Sequence, residues 1–215
     1  MKPCLSPDSH YSSVRSKAFV AIKILKASVS QSAESELSLY RLLASAESEP
    51  ASSRYIVSLL TSFELIGPNG KHACFVLEVM GPNLSDMLRW QEFQVGDPFD
   101  DDFCRRLPRP LAKRILNDVL RGLQYLHTNN FVHGDVHQGN ILVNVLLPQY
   151  STVSLERLRQ PADQARPLER LDGKKDLWAP PYLLPPANLR SFVSTGLDPV
   201  IKLTDMGEGQ CSLIL

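Results

Sequence analysis

A short polar stretch between two apolar runs constrains the fold of this chain more than any other feature. The segment FVHGDVHQGNILV, residues 131–143, places His133, Asp135 and Asn140 within eight residues. This spacing does not repeat on one face of a helix, so the polar side chains belong to a loop between two buried strands. Such a loop is either a surface turn or a rigid platform for a functional site.

The composition is that of a globular protein with balanced charge. The 215 residues are 43% apolar and 21% charged, which suits one large domain or two small ones. Lys and Arg total 23, as do Asp and Glu, so the net charge does not favour non-specific binding to nucleic acid or membranes. No apolar run approaches a membrane span, and the first residues lack a signal-peptide core. We therefore expect a cytoplasmic or nuclear protein with no direct nucleic-acid or membrane partner.

The four cysteines are far apart in sequence and form no Cys-x-x-Cys pair. This pattern favours free thiols in a reducing compartment over a disulfide framework or a zinc site. The cysteines are Cys4, Cys74, Cys104 and Cys211.

The first half of the chain predicts a small sheet and one helix. Residues 19–25 alternate in orientation and form a strand that carries Lys23 among apolar neighbours. Residues 33–45 are predicted as a helix. Strands over 55–66 and 72–80 follow, joined by the turn sequence GPNG. The helix has two possible apolar stripes, Leu37, Tyr40 and Leu43 or Leu39, Leu42 and Leu43.

Two helices are predicted before the polar loop. Residues 83–90 form a short helix capped by Asn83 or Ser85. The segment 109–127 has the clearest helical period in the chain, and Pro110 suits its first turn. Its apolar positions are Leu111, Ile115, Val119, Leu123 and Leu126.

The last part of the chain has little regular pattern until its end. A strand after the polar loop leads into residues 149–198, which are rich in Pro, Arg and Leu without a sustained period. A structureless loop of this length is uncommon inside a domain, which predicts an insertion with partial order. A short strand then precedes the tripeptide Asp-Met-Gly at 205–207.

Three short motifs, taken in order, resemble those of the eukaryotic protein kinase family. VAIK at 20–23 is similar to the family's third-strand lysine motif, HGDVHQGN at 133–140 to its catalytic loop, and DMG at 205–207 to its Asp-Phe-Gly motif. Each motif is weak alone, but their order and the elements between them agree with the family. The resemblance implies an α+β, protein kinase-like two-lobe fold. Its parts are a small β-rich lobe over 1–77, a hinge over 78–82 and a partial larger lobe over 83–215.

By this resemblance, Lys23 holds the α- and β-phosphates of ATP and is oriented by a carboxylate on the predicted helix. Glu36 matches the family's spacing of apolar neighbours best, and Glu34 is the rival. The resemblance also implies an adenine site next to the hinge. Its members are Ala21, Leu77 as gatekeeper, and the backbone of Glu78 and Met80.

The resemblance assigns the chemistry of phosphoryl transfer to the polar loop and the Asp-Met-Gly motif. Asp135 would accept the proton of the substrate hydroxyl, while Asn140 and Asp205 would bind Mg²⁺ through hard oxygen ligands. Two positions depart from the family. Gly134 stands where an arginine pairs with a phosphorylated activation segment, and His137 replaces a lysine that touches the γ-phosphate. His137 is a weaker and pH-dependent cation in that role.

Within the family, the likeness is to the SR-protein kinases, particularly their divergent fungal relatives. GPNGKHACFVLEVMGPNL resembles that group's hairpin and hinge, and VLRGLQYLHTNNFVHGD resembles its approach to the catalytic loop. An insertion before Asp-Met-Gly and the missing catalytic-loop arginine also fit this group. The resemblance implies an ATP- and Mg²⁺-dependent serine/threonine protein kinase that phosphorylates serines of Arg/Ser-rich proteins.

We expect the kinase fold to be incomplete in these 215 residues. The sequence begins shortly before the Lys23 strand, without a Gly-rich phosphate loop, and ends eight residues after Gly207, before an activation segment or the later helices. This pattern predicts a fragment of a longer gene product or a decayed gene. The chain alone would transfer phosphate weakly or not at all.

Two other functional interpretations stay open. The pattern HGDxHxxN also resembles the loop of aminoglycoside and choline phosphotransferases, which share the kinase fold and act on small molecules. A non-catalytic nucleotide-binding remnant, or pseudokinase, is the second, although the retained site residues indicate an ancestral catalytic function.

Smaller features of the sequence also have two interpretations. His133 and His137 have a spacing that metal ligands use, but a structural role for His133 in supporting the loop is favoured. The acidic run over 97–102 has the charge to attract Arg-rich substrates, but a solvated loop is favoured.

Overall fold

The structure, a computed structural model, contains two main antiparallel sheets that share one hydrophobic core. It describes residues 19–30, 33–45, 53–67, 70–90, 94–95, 104–145, 165–167, 169, 172–173, 182–184, 189–193 and 199–211. The acidic run over 97–102, Cys4 and much of the predicted insertion over 149–198 lie outside these residues.

The first sheet carries the predicted lysine on an edge strand. Its strands are β1 (Ala21–Ile24), β2 (Leu59–Gly67) and β3 (Gly70–Leu77), in the order β1-β3-β2. The register places Lys23 opposite Phe75. Because side chains alternate along a strand, the face of β1 with Lys23 is half-buried, while the face with the two isoleucines is exposed. The strand predicted over 55–66 begins later, at Leu59.

The predicted helix over 33–45 is confirmed as α1 (Ala33–Ser45). It buries Leu39, Tyr40 and Leu43, and the Tyr40 ring meets the Phe75 ring edge-on at 6.4 Å between centroids. The stripe that included Leu42 is wrong, because that side chain is 48% exposed. The helix thus turns one narrow face to the first sheet, and this face also carries a carboxylate.

The second sheet begins where the predicted strand over 72–80 divides. That strand ends at Leu77, two linking residues follow, and β4 (Met80–Asn83) joins β8 (Ile141–Asn144) and β11 (Ile201–Leu203) in the order β11-β8-β4. The prediction of one strand over 72–80 was wrong, because the apolar residues up to Leu77 belong to the first sheet and Met80 begins a strand of the second. The short helix α2 (Leu84–Met87) is capped by Asn83, whose side chain accepts a 2.8 Å hydrogen bond from the Asp86 N–H.

The predicted long helix is confirmed as α3 (Arg109–Thr128), with Pro110 in its first turn. It packs below the second sheet, where Gly122 lies against Leu203 and Tyr55. Asp118 is fully buried, and its carboxylate accepts hydrogen bonds from Arg114 Nε at 3.0 Å and from the Ile201 N–H at 3.2 Å. Of the predicted apolar positions, Ile115, Val119 and Leu126 are buried, and Leu111 and Leu123 are partly buried.

The remaining elements are short. The strand β7 (Phe131–Val132) pairs with β12 (Gln210–Cys211), β5 (Gln94–Val95) with β6 (Cys104–Arg105), and β9 (Arg166–Pro167) with β10 (Tyr182–Leu183). The last pair lies in the predicted insertion, as does a turn of 3₁₀ helix at Arg190–Phe192. Among the helices in the described part of the chain, none has the length and apolar character to cross a membrane.

Candidate active site

The side chain of Lys23 joins three parts of the chain at one ammonium group. Its Nζ atom lies 2.9 Å from Glu36 Oε1 and 3.1 Å from Glu36 Oε2 on α1. It also lies 2.8 Å from Asp205 Oδ1, a residue 182 positions later in sequence. The Glu36 side chain is 5% exposed and Asp205 is 49% exposed, so the lysine connects a buried carboxylate to one that faces solvent.

The charges around Lys23 favour its protonated form. Burial alone lowers the pKa of the ammonium, but hydrogen bonds and charge interactions with Asp205 and Glu36 outweigh it, and the pKa is raised. Burial also raises the pKa of the neighbouring Tyr40 hydroxyl, and the charges of Glu36 and Asp205 add to this effect. The cluster therefore contains one fixed cation, two carboxylates and a neutral phenol.

The structure distinguishes the two glutamates that the sequence left as rivals. Glu36 contacts Lys23, whereas Glu34 lies on the exposed side of α1 and pairs with Arg41 at 3.0 Å. Both partners of that second pair are more than half exposed, so it contributes little to stability. The orienting role of Glu36 stays a prediction, but its position suits it.

We expect Glu36→Gln to lower the free energy of unfolding by about 1–3 kcal/mol, because a charge-assisted bond in a buried place is weakened. Glu34→Gln is the matched control on the same helix, and we expect a change within about 0.5 kcal/mol. Urea unfolding of the two variants measures both values. Equal effects at the two positions would contradict the special place given to Glu36.

The backbone at Asp205 turns the carboxylate toward Lys23. Asp205 has φ of +63°, a left-handed conformation that is uncommon for residues other than glycine but that aspartate adopts more readily than most. The next residue, Met206, is buried in the core, which anchors the turn. The turn is thus anchored by the buried Met206 on one side and by the contact of Asp205 with Lys23 on the other.

His133 links the polar loop to the strand before Asp205. It is buried, its Nε2 donates to the Thr204 carbonyl oxygen at 3.0 Å, and its Nδ1 accepts from the Asp135 N–H at 3.3 Å. Burial lowers the pKa of His133, which favours the neutral ring that this pattern requires. Since both ring nitrogens have partners, His133 is a structural support for the loop and not a metal ligand.

The half-exposed carboxylate of Asp135 contacts two side chains of the polar loop. Asn140 Nδ2 donates to the Asp135 carbonyl oxygen at 3.1 Å and to Asp135 Oδ2 at 3.2 Å. His137 Nε2 lies 3.3 Å from the same Oδ2 atom. The Thr204 N–H donates to the Asn140 carbonyl oxygen at 3.0 Å, which joins this loop to the strand that leads into Asp205. The predicted residues of the polar loop and of the Lys23 cluster therefore belong to one connected site.

Gly134 occupies a position that does not accept a side chain. Its φ is +80°, and a Cβ atom there would lie 2.5 Å from the carbonyl oxygen of Glu208. The left-handed backbone and the close approach of a second backbone both require glycine. In this backbone conformation, position 134 therefore has no room for an arginine side chain.

We expect Gly134→Ala to lower the free energy of unfolding by about 2–4 kcal/mol, the sum of backbone strain and steric overlap. Gly173→Ala is the control, because Gly173 also has positive φ, +69°, but nothing lies within 4 Å of its added Cβ. We expect that variant to lose only about 1 kcal/mol. A loss at Gly134 no larger than at Gly173 in urea unfolding would contradict the proposed overlap.

The predicted adenine site lies at the junction of the two sheets. Ala21 and Leu77 are directly opposite in the first sheet, and Met80 begins β4 in the second. The Glu78 N–H donates to the Ser58 carbonyl oxygen at 3.1 Å, so this N–H already has a partner within the chain. The adenine roles of these residues and the hinge limits of 78–82 stay predictions.

Sequence reasoning missed a second lysine at this junction. Lys202 Nζ on β11 lies 2.6 Å from Glu78 Oε1, and the Ser58 N–H donates to the same oxygen at 2.7 Å. Only 13% of the Lys202 side chain is exposed. The one available signal was a lysine between two buried apolar residues of a short strand, which by itself does not identify its partner.

Comparison with known proteins gives a consistent set of relatives. The family model described as the protein kinase domain matches residues 10–147. The chain is 29% identical over 198 residues to serine/threonine-protein kinase SRPK of Physarum polycephalum, which covers 87% of this chain and 43% of that protein. It is 33% identical over 135 residues to SRSF protein kinase 3 of Mus musculus, which covers 61% of this chain and 22% of that protein.

A similar match joins this chain to a yeast protein. The chain is 28% identical over 157 residues to serine/threonine-protein kinase SKY1 of Saccharomyces cerevisiae, which covers 70% of this chain and 20% of that protein. The chain thus spans less than half the length of the relatives it matches.

Proposed function

This chain belongs to the protein kinase domain family, with SR-protein kinases among its relatives, and from this premise we propose that it acts as an ATP-dependent serine/threonine protein kinase. The sequence prediction of an α+β kinase fold of the SR-protein kinase type is confirmed by these comparisons. The proposed reaction rests on one observation: the ammonium group of Lys23 contacts the carboxylates of both Glu36 and Asp205. A lysine held in place by carboxylates suits the binding of the phosphates of a nucleoside triphosphate.

The proposed nucleotide site extends from the hinge to Lys23. Ala21 and Leu77 would enclose the adenine, and the Glu78 carbonyl would accept a hydrogen bond from its amino group. Lys23 would bind the α- and β-phosphates, because it stays charged and Glu36 fixes its position.

The residues proposed to bind Mg²⁺ fit that ion. Among the described residues, no three His, Cys, Asp or Glu side chains converge to bind a metal by themselves. Mg²⁺ in phosphoryl-transfer sites is held by one or two protein oxygens together with phosphates and water. The side-chain nitrogen of Asn140 donates to Asp135, so its amide oxygen is the atom that would bind the ion. Asp205 accepts from Lys23 through Oδ1, so its other carboxylate oxygen would bind the ion. Bound there, the ion would neutralise charge on the phosphates.

Asp135 is the proposed base of the reaction. The serine hydroxyl oxygen forms a bond to the γ-phosphorus, while the bond from that phosphorus to the bridging oxygen breaks and ADP leaves. The hydroxyl proton passes to the Asp135 carboxylate. Lys23 stabilises charge on the phosphates, and the links through Thr204 keep Asp135 close to the Asp205 turn.

The substrate and location are also proposed from the relatives. The names SRPK and SRSF protein kinase 3 support serine in Arg/Ser-rich proteins as the acceptor. Such a substrate supports a cytoplasmic or nuclear location. The pattern His-Gly-Asp-x-His, with its required Gly134, keeps a small-molecule phosphotransferase as the second candidate.

A panel of acceptors tests the proposed function in the full-length gene product that carries these residues. The acceptors are a peptide of Arg-Ser repeats, the same peptide with Lys for Arg, the same peptide with Ala for Ser, choline and an aminoglycoside. We expect ADP release with the Arg-Ser peptide and none with the alanine peptide or the small molecules. Turnover of choline or the aminoglycoside alone would replace the proposed function by the second candidate, and turnover of none would favour a pseudokinase.

A further inference from the structure

Asp135 has two carboxylate oxygens in different surroundings. Oδ2 is the partner of both His137 Nε2, at 3.3 Å, and Asn140 Nδ2, at 3.2 Å. Oδ1 receives no hydrogen bond from the described part of the chain. One oxygen therefore has two polar neighbours, while the other has no hydrogen-bond donor among the described residues.

The loop itself determines which nitrogen of His137 carries the proton. The Gly139 N–H donates to His137 Nδ1 at 2.9 Å, so Nδ1 must be an acceptor without a proton. A neutral imidazole then carries its proton on Nε2, which is the atom that faces Asp135. The N–H of His137 is thus placed beside Asp135 Oδ2 at 3.3 Å, a polar contact that lacks the geometry of the hydrogen bond from Asn140.

Gly139 gives an independent sign that the ring position is built into the loop. A Cβ atom on Gly139 would lie 2.6 Å from His137 Cε1 and 2.9 Å from Nδ1. The Cε1–Nδ1 edge of the imidazole therefore lies against Gly139 in the short 3₁₀ turn at Gln138–Asn140. Any side chain at position 139 would push the ring away from its place.

We propose that His137 is a positioning residue that, together with Asn140, fixes Oδ2 of Asp135 and leaves Oδ1 to accept the substrate proton. This inference rests on the proposed function and refines it, because His137 would not act as the phosphate-binding cation that replaces a lysine. Its Nδ1 is used by Gly139 and its Nε2 faces Asp135. An error of about 1 Å in the placement of a base costs on the order of 10²-fold in rate. The contacts of His137 and Asn140 with Asp135 Oδ2, here called the Asp135 clamp, should therefore have a measurable effect on the rate.

The structural half of the proposal is tested without any activity. The protein is labelled with ¹⁵N-histidine and long-range ¹H–¹⁵N spectra are recorded at about pH 8.5, where imidazoles are neutral. The His137 signals are assigned by their loss in His137→Gln. We expect the His137 ring to be the Nε2–H tautomer in the wild type. In Gly139→Ala we expect the ring to lose its preference for this tautomer. A ring protonated on Nδ1, or an equal mixture of tautomers in the wild type, would overturn the proposal.

The functional half is tested by the change in kcat and KM for ATP. We expect His137→Leu to lower kcat by about 10–100-fold with KM for ATP within about twofold, since only the base is displaced. His137→Gln, whose amide also donates, should recover most of the lost rate. His127→Leu, at an exposed histidine of α3, is the control and should change neither value. A rise in KM with unchanged kcat in His137→Leu would show a phosphate ligand and overturn the proposal. A wild type that transfers no phosphate would refute the proposed function, and the imidazole spectra would still decide the clamp.

Discussion

Replacement of Asp135 by asparagine should lower kcat for phosphoryl transfer by about 10²–10⁴-fold while KM for ATP stays within about twofold. Asparagine keeps the shape of the side chain and an oxygen that accepts from Asn140 and lies beside His137. It cannot take up the proton of the substrate hydroxyl. The loss should therefore appear in the chemical step and not in nucleotide binding.

Asp86→Asn is the matched control for this experiment. Its carboxylate is 47% exposed, close to the 48% of Asp135, and its described partner is Arg89 on the surface. We expect its kcat to stay within about twofold of the wild-type value. A similar decrease in the two variants, measured as ADP release with an Arg-Ser peptide, would mean that Asp135 is not the base.

The second large effect is expected at Lys23. Lys23→Met should weaken the binding of a fluorescent ATP analogue by about 10–100-fold, because charge-assisted hydrogen bonds contribute about 1.5–3 kcal/mol each. The change also leaves the buried Glu36 carboxylate without its cation, so some loss of stability will accompany it. Nucleotide affinity must therefore be separated from folding.

Adenosine provides that separation, since it has no phosphate for Lys23 to bind. We expect adenosine to bind wild type and Lys23→Met with the same affinity, which would also show that the variant is folded. Lys71→Met is the control for removal of a lysine, because Lys71 is 68% exposed and its contact with Glu64 is 3.6 Å long. Equal ATP affinity in Lys23→Met and wild type would exclude Lys23 as a phosphate ligand.

The sequence was most informative where local pattern decides structure. The helix predicted over 109–127 is α3, which extends one residue further at its C-terminal end. The helix predicted over 33–45 has the same two ends as α1. The order of motifs gave the kinase fold, because a lysine strand, a helix with a carboxylate and a His-x-Asp loop restrict one another. The pairing of Lys23 with Glu36 agrees with the helix spacing that favoured it, although its role in catalysis is untested.

The sequence was least informative where contacts depend on the register of distant strands. The apolar sequence before Met80 has no turn signal, so it did not indicate that β3 and β4 belong to different sheets. The contact of Lys202 with Glu78 joins positions 124 residues apart, which no local period predicts. The orientation of His137 likewise depends on a 3₁₀ turn and on Gly139, whose effect becomes visible only in three dimensions.

The most direct measurement of the central claim is the transfer of phosphate in a single turnover. The full-length protein, in excess over [γ-³²P]ATP, is mixed with an Arg-Ser peptide in Mg²⁺ or in excess chelator. This regime observes chemistry without interference from product release. We predict that the label moves from ATP to peptide serine in Mg²⁺, not in chelator, and about 10²–10⁴-fold more slowly in Asp135→Asn. Label that stays in ATP, or that reaches serine at the same rate in wild type and Asp135→Asn, would contradict the account.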